Sequence, residues 1–262
     1  MSKLLIPYVT GGVTEDWTSH LLAFQDAGAD AIEVGLPFSD PVLDGVTIQR
    51  ASDQALARGV TIASILADLR RIRDRVHVPL IAFTYANLVF RHGPAAFCRR
   101  LAESGIGGLI VPDLPVDEAQ DVRAAAVEAG IELTLLAAPV TPDDRLAQIA
   151  AQSSGFVYAV SRMGTTGERE TLTETAGRLA ARVRAHTGLP VVIGFGISGP
   201  DQAAAAGRAG DGVAVGSALM RRVLDGATPD DLRHEVAALR AALDQEVSAD
   251  RAAYAEVSGD RP

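Results

Sequence analysis

Several residue types and patterns are scarce or absent in this sequence. It contains a single cysteine, Cys98, in 262 residues, which excludes a disulfide framework. Cys98 lies in a helical pattern, where we expect it to pack as a small apolar residue at the edge of the core. No apolar run approaches the ~20 residues that are needed to span a bilayer. The first residues, MSKLLIPYV, are too few and too interrupted by proline for a signal peptide, so we expect a cytoplasmic protein.

Positively charged residues are fewer than negatively charged ones. The chain has 24 Lys and Arg against 33 Asp and Glu, a net charge of −9, which argues against a nucleic-acid partner. Its five histidines are scattered without the spacing of metal ligands, so no metal site is expected. Apolar residues, by contrast, make up 48% of the chain, which is typical of a folded domain with a sizeable core.

A repeating pattern of helix and strand runs along the sequence. Four times a helix-like segment ends in glycine, which suits a left-handed cap, and an apolar run follows it. These four segments read DAGADAIEVG, ESGIGGLIVPDLP, EAGIELTLLAAP and RAGDGVAVGS. Three further apolar runs, at residues 4–9, 79–85 and 190–196, lack that glycine, and the run at residues 155–161 is the eighth. The pattern therefore predicts eight strands, each followed by a helix.

Eight apolar strands that alternate with helices predict parallel strands buried on both faces. In a chain of this length they favour a closed (β/α)8 barrel, the TIM barrel, as a single domain over residues 1–246. The alternative is an open, doubly wound sheet, which usually has a G-x-G-x-x-G loop after its first strand. The loop here, TGGVTEDW, lacks that pattern. Residues 247–262 are predicted to form a frayed polar tail.

Carboxylates gather at the end of the second predicted strand, in EVGLPFSDPVLDG. Active sites in this fold lie at the carboxyl ends of the strands, which makes Glu33 and Asp44 catalytic candidates. The apolar neighbours of Glu33 should raise the pKa of its carboxyl group by desolvation. Such a pKa suits a group that both gives and takes a proton. The alternative is a structural carboxylate that pairs with an arginine or a helix N-terminus.

Glycine-bearing loops follow the seventh and eighth predicted strands, in GFGISGP and VGSALM. These loops often bind a phosphate in the barrel fold, because glycine lets backbone N–H groups approach the anion. Gly196, Gly216 and Ser217 are therefore phosphate-binding candidates, unless the glycines only permit tight turns. The segment SRMGTTGERETL after the sixth strand has the composition of a mobile lid, which adds Thr166 and Gly167 to the candidates.

Seven motifs in the sequence resemble those of a known family. In chain order they read LIPYVTGG, EVGLPFSDPVLDGVTIQ, YANLVF, VPDLPVDE, SRMGTTG, GFGIS and VGSA. In these motifs and their spacing the sequence resembles the tryptophan synthase alpha chain family over about residues 4–246. The resemblance implies a lyase that cleaves indole-3-glycerol phosphate to indole and glyceraldehyde 3-phosphate, a retro-aldol reaction without metal or organic cofactor.

The resemblance also implies roles for single residues. Glu33 and Asp44 match the two catalytic carboxylates of the family, and Tyr158 matches a tyrosine that lines the indole end of the site. Tyr85 and Thr166 are further substrate-binding candidates. The positions that match the family's phosphate-binding residues are Gly167, Gly196, Gly216 and Ser217.

A partner protein follows from the same resemblance. We expect an alpha2beta2 tetramer with a tryptophan synthase beta subunit, which carries the pyridoxal phosphate, and Asp40 and Pro115 at the interface.

The sequence departs from the family at Val46, where a proline is common, and in the three residues before the first strand, where most members have an extra helix. A more exposed barrel floor is therefore expected. A standalone lyase that releases free indole, or a weakly active regulatory binding subunit, remains an alternative.

Overall fold

The structure is a computed structural model, and it describes residues 2–160, 172–194 and 196–259. In these ranges the chain forms nine parallel strands that alternate with helices. The strands are β1 Leu4–Thr10, β2 Ile32–Gly35, β3 Leu80–Phe83, β4 Ile106–Ile110, β5 Glu132–Thr134, β6 Leu136–Ala137, β7 Val157–Val160, β8 Val191–Gly194 and β9 Gly212–Val215.

The helices follow the strands on the outside of the sheet. The α-helices are α1 Thr18–Asp26, α2 Val46–Ala57, α3 Ile62–Ile72, α4 Ala86–Phe90, α5 Pro94–Glu103, α6 Gln120–Ala129, α7 Asp143–Gln152, α8 Leu172–Arg184, α9 Pro200–Ala209, α10 Ser217–Leu224 and α11 Pro229–Gly259. Two short 3-10 helices span Arg73–Arg75 and Val116–Glu118. Among these helices none is long and apolar enough to cross a membrane.

The sheet closes on itself. Its strand order is β5-β4-β3-β2-β1-β9-β8-β7-β6, so its two ends are β5 and β6, which are separated in the chain by Leu135 alone. Both are parts of the fifth predicted strand. The strand divides at Leu135. The N–H group of Leu135 donates to the Ser153 hydroxyl, at 3.2 Å, and not to a backbone oxygen of a neighbouring strand. The prediction of a TIM barrel is confirmed, with its fifth strand in two pieces.

Burial on both faces explains why the strands are so apolar. Every residue of β2, β3, β8 and β9 is buried, although β2 contains a glutamate. The outer helices contribute one apolar face each; in α3 this face consists of Ile65, Leu66 and Leu69. The strand register places Tyr8 of β1 beside Glu33 of β2, and Glu33 beside Ile81 of β3. The fold thus fixes the neighbours of the buried carboxyl group.

The last helix connects the two ends of the chain at the barrel floor. Arg240 of α11 donates to the backbone oxygen of Lys3 at 2.9 Å and to Asp30 at 3.0 Å, and Asp30 accepts the N–H of Leu5 at 2.7 Å. Leu5 is completely buried. Helix α11 continues beyond residue 246 to Gly259, so no break in the helix marks the predicted domain boundary. Fraying of residues 247–262 stays a prediction.

Candidate active site

A cavity of about 210 Å³ opens at the carboxyl ends of the strands. It contains six of the residues that the sequence proposed: Glu33, Asp44, Tyr158, Gly196, Gly216 and Ser217. Eight other described residues line it, and sequence reasoning missed all of them: Tyr8, Ile48, Phe83, Ile197, Ser198, Ala214, Ala218 and Arg221.

Glu33 is buried in the wall of this cavity. Its side chain comes from the second residue of β2, is 2% exposed, and leaves the Oε1 atom without a hydrogen-bond partner among the described residues. Burial raises the pKa of this carboxyl group to about 8, because a desolvated carboxylate is unstable. In the described ranges no arginine pairs with it, which argues against the structural alternative. Glu33 is therefore mainly protonated at pH 7.

Asp44 reaches the same cavity from the loop between β2 and α2. A turn positions it, in which its N–H group donates to the backbone oxygen of Pro41 at 3.0 Å. Its own backbone oxygen accepts from the side chain of Gln49 at 2.9 Å. Partial burial raises the pKa of the Asp44 carboxyl group to about 6, and a hydrogen bond from Tyr85 opposes that rise. Asp44 is therefore mainly ionised at pH 7.

Tyr85 supports the loop that carries Asp44. It follows β3, is 3% exposed, and its hydroxyl group both hydrogen-bonds the Asp44 carboxylate and accepts the N–H of Leu43 at 3.2 Å. Its ring packs against Phe38 of the same loop, with 5.3 Å between the centroids. Tyr85 does not itself line the cavity, so its predicted contact with substrate stays a prediction. The structure shows it as a support for Asp44.

Two tyrosine rings, those of Tyr8 and Tyr158, belong to the apolar part of the wall, and each requires a glycine beside it. A Cβ atom at Gly35 would lie 1.9 Å from the hydroxyl oxygen of Tyr8, and one at Gly194 would lie 2.0 Å from a ring carbon of Tyr158. No side chain fits at either position while the rings stay in place. The Tyr8 hydroxyl hydrogen-bonds that of Thr10 at 3.2 Å. These contacts fix both rings in the cavity.

The glycines of the predicted phosphate site differ in what they require. Gly196 has a φ angle of +82°, a conformation that favours glycine, so a tight turn by itself accounts for it. No such requirement explains Gly216. Its φ angle of −113° is open to other residues, and a Cβ atom there would lie 3.5 Å from its nearest neighbour, which is an ordinary contact. Gly216 caps α10, and Ser217 begins it. That helix has no side-chain cap and no acidic residue in its first turn, so its N–H groups are available to an anion.

The remaining candidates lie outside this cavity. Thr166 and Gly167 fall outside the described residues. Asp40 is exposed in the loop after β2, where it accepts a hydrogen bond from Ser39 at 2.6 Å. Pro115 follows β4 and lines a separate cavity of about 270 Å³. Their roles at a partner interface stay predictions.

Two sequence-based expectations about chemistry away from the cavity can be compared with the fold. Cys98 is fully buried in α5, which confirms its assignment to the core. Over the described residues no three His, Cys, Asp or Glu side chains come together as a metal site would require.

The closed barrel and the cavity at its carboxyl ends are those of a (β/α)8-barrel enzyme. The sequence profile of the family described as "Tryptophan synthase alpha chain" matches residues 1–250. The chain therefore belongs to the tryptophan synthase alpha chain family. It is a carbon–carbon lyase of tryptophan biosynthesis that cleaves indole-3-glycerol phosphate to indole and glyceraldehyde 3-phosphate.

Individual relatives agree with this assignment. The chain is 46% identical to the tryptophan synthase alpha chain of Chloroflexus aurantiacus over 230 residues, which cover 87% of this chain and 86% of the relative. It is 43% identical to that of Picosynechococcus over 231 residues, 87% and 88% of the two chains. Among solved structures, a chain of Mycobacterium tuberculosis tryptophan synthase is 39% identical with a TM-score of 0.84, covering 92% of this chain and 93% of that one. The Legionella pneumophila alpha subunit is 30% identical, with a TM-score of 0.83 and 93% coverage of both chains.

Proposed function

We propose that this chain breaks the bond between C3 of the indole ring and the glycerol phosphate side chain with Glu33 as its acid–base group. One observation carries the proposal. Two carboxyl groups line one cavity, and their pKa values, about 8 for Glu33 and about 6 for Asp44, lie on opposite sides of pH 7. Paired groups with such separated pKa values divide the work of acid and base between them.

The protonated form of Glu33 begins the reaction. It delivers its proton to C3 of the indole ring, which places a positive charge on the ring nitrogen. The ionised Asp44 accepts a hydrogen bond from the ring N–H group and stabilises that charge where it develops. This step requires a neutral Glu33 and a charged Asp44, the two forms that prevail at pH 7.

The carboxylate that remains on Glu33 completes the reaction. It takes the proton of the hydroxyl group on the side-chain carbon next to C3. The bond between that carbon and C3 then breaks, and its electrons return to the ring. The hydroxyl carbon becomes the aldehyde of glyceraldehyde 3-phosphate, indole is released, and Glu33 has regained its proton. The cycle needs no water, oxidant or reductant.

The other elements of the cavity orient the substrate. The N–H groups at Gly216 and Ser217, at the start of α10, bind the phosphate group, and Gly196 brings its loop to the same place. The rings of Tyr8 and Tyr158 enclose the apolar indole. Holding both ends of the substrate keeps the reacting bond at Glu33 in a productive orientation.

The partner and the cofactor belong to the same proposal. A tryptophan synthase beta subunit docks on the loops that carry Asp40 and Pro115, in an alpha2beta2 tetramer, and uses the indole with its own pyridoxal phosphate. The chain described here needs no organic cofactor or metal for its own step. Its cytoplasmic location stays a prediction.

One observation favours a second function, a standalone lyase that releases free indole. The loop with Asp44 is already held in the isolated chain, by the hydrogen bonds of Tyr85 to Asp44 and to the N–H of Leu43. A loop that is ordered without a partner is what such an enzyme needs.

The experiment that separates these functions is an indole-release assay on the purified chain, with and without a tryptophan synthase beta subunit. The proposal expects release in both cases and a marked acceleration by the beta subunit. Full activity without it would favour the standalone lyase. Phosphate binding with no release of indole in either case would contradict lyase function and favour a regulatory subunit.

A further inference from the structure

An arginine lies beside the phosphate end of the cavity. Helix α10 begins at Ser217, and Arg221 comes four residues later, about one turn along the same face of the helix. Both residues line the cavity, together with Gly216 and Ser198. Arg221 therefore lies in the same part of the wall as the start of the helix, where the N–H groups are open.

Arg221 is the only positively charged side chain in the described wall of the cavity. It is exposed, and among the described residues no carboxylate pairs with it. The next residue, Arg222, behaves differently, because it forms an ion pair with Glu235 of α11. One arginine of this adjacent pair is thus paired within the protein, whereas the other is exposed and lines the cavity.

The charge of the substrate explains why a positively charged side chain would strengthen binding at this end of the cavity. A phosphate monoester carries close to two negative charges at neutral pH. The helix N-terminus offers only about half a positive charge, so a dianion bound there is incompletely compensated. A guanidinium group supplies a full charge and a planar pair of donors that match phosphate oxygens.

We propose that Arg221 pairs with the phosphate group of the substrate and determines the preference of the site for a dianionic tail. This inference rests on the proposed function, since it assigns a residue to the phosphate end of that site. Arg221 does not act on the bond that breaks. It binds substrate, and its loss should appear in KM rather than in kcat.

The test uses glycerol 3-phosphate as the probe, because it has the phosphate tail without the indole ring. Its dissociation constant is measured by calorimetric titration of the full-length chain at low and high ionic strength. Arg221→Gln should weaken binding about five- to tenfold at low salt, the scale of losing one charge-assisted hydrogen bond at an exposed position. The loss should shrink at high salt, because exposed charges are screened.

Arg222→Gln is the matched control, since it removes the same charge from the neighbouring position of the same helix. It should change the dissociation constant by less than about twofold, because Arg222 pairs with Glu235 and does not line the described cavity. Arg221→Lys should restore part of the affinity, as it returns the charge without the planar fork. In the cleavage assay, Arg221→Gln should raise KM with little change in kcat.

The outcomes separate the two levels of the proposal. If the wild-type chain binds glycerol 3-phosphate and Arg221→Gln binds it equally well, the role of Arg221 is wrong and the proposed function stands. Equal losses in the Arg221→Gln and Arg222→Gln variants would also overturn that role, because net charge alone would then explain them. If the wild-type chain does not bind the probe at all, the phosphate end of the proposed function fails together with Arg221.

Discussion

Replacing Glu33 with glutamine should abolish cleavage and, at the same time, stabilise the fold in a pH-dependent way. The amide keeps the size and polarity of the side chain but can neither shuttle a proton nor ionise. Indole release should fall below a tenth of the wild-type rate, whereas binding of glycerol 3-phosphate should be nearly unchanged. The gain in stability follows from the burial of Glu33. A buried carboxyl group opposes folding at any pH at which the same group would be charged in water.

The sign and size of this effect come from the pKa of Glu33. It is about 8 in the folded chain, compared with 4.5 ordinarily. Between these values the unfolded chain loses the proton and the folded chain keeps it, so the wild-type free energy of unfolding falls as pH rises from about 4.5 to about 8. At pH 7, about 2.5 pH units above the ordinary value, the cost is about 3 kcal/mol at ~1.36 kcal/mol per unit. The glutamine variant avoids this cost.

Urea denaturation of both proteins between pH 4.5 and pH 8.5 measures the difference. Glu33→Gln should exceed the wild type by about 3 kcal/mol at pH 7, and the two should converge near pH 4.5. Glu103→Gln, which makes the same change at an exposed position on α5, is the matched control and should not gain stability at pH 7. A stability difference that stays constant with pH, or a variant less stable than the wild type at pH 8, would show that ionisation of Glu33 does not oppose folding.

Three further changes have definite expected outcomes. Asp44→Asn should lower kcat by about 10²-fold or more, the scale of one charge-stabilising group. Its thermal midpoint at pH 7 should not fall, because burial raises the pKa of Asp44 and the amide removes a partly desolvated charge; a collapse of stability would make Asp44 structural. Val46→Pro should stabilise the chain by about 0.4–1 kcal/mol in urea, since Val46 is the first residue of α2, where proline fits, and the preceding Gly45 is extended. It should also raise the activity of the isolated chain and reduce its activation by a beta subunit. If a beta subunit activates the wild type and Val46→Pro equally, the loop between β2 and α2 has no part in that activation. Finally, burial lowers the pKa of His20 below its ordinary 6.5, so protonation favours the unfolded chain. The free energy of unfolding should therefore decrease as the pH drops below about 6.5. In His20→Gln this decrease should be smaller, which urea denaturation at pH 5 and pH 7 would show.

The barrel and the two carboxylates that line its cavity could be predicted because they depend on local patterns. Apolar runs after a glycine-capped helix specify buried parallel strands, and strand ends in a barrel converge on one face. Glu33 was recognisable because a carboxylate ends an apolar run, and Gly216 because glycine precedes a helix at the eighth strand. Each of these signals lies within about ten residues of sequence.

The missed residues depend on contacts between distant parts of the chain. Tyr8 faces the cavity because the strand register places it beside Glu33, 25 positions later, and no local pattern reports that register. The hydrogen bond that the N–H of Leu43, in the loop of Asp44, donates to the Tyr85 hydroxyl likewise joins residues that are 42 positions apart. Arg221 had a usable signal, since it lies one helical turn after Ser217. The break of the fifth strand depends on Ser153, which lies in the following helix-to-strand connection and has no signature in the strand itself.

The central claim is that a neutral Glu33 begins the cleavage, and the pH dependence of kcat/KM for indole release tests it most directly. The structure predicts a plateau near pH 7 and a fall in activity above about pH 8, where Glu33 ionises. Asp44→Asn should retain this alkaline fall at its lower rate, because the fall belongs to Glu33. Activity that rises through pH 8, or that stays level to pH 10, would contradict the claim.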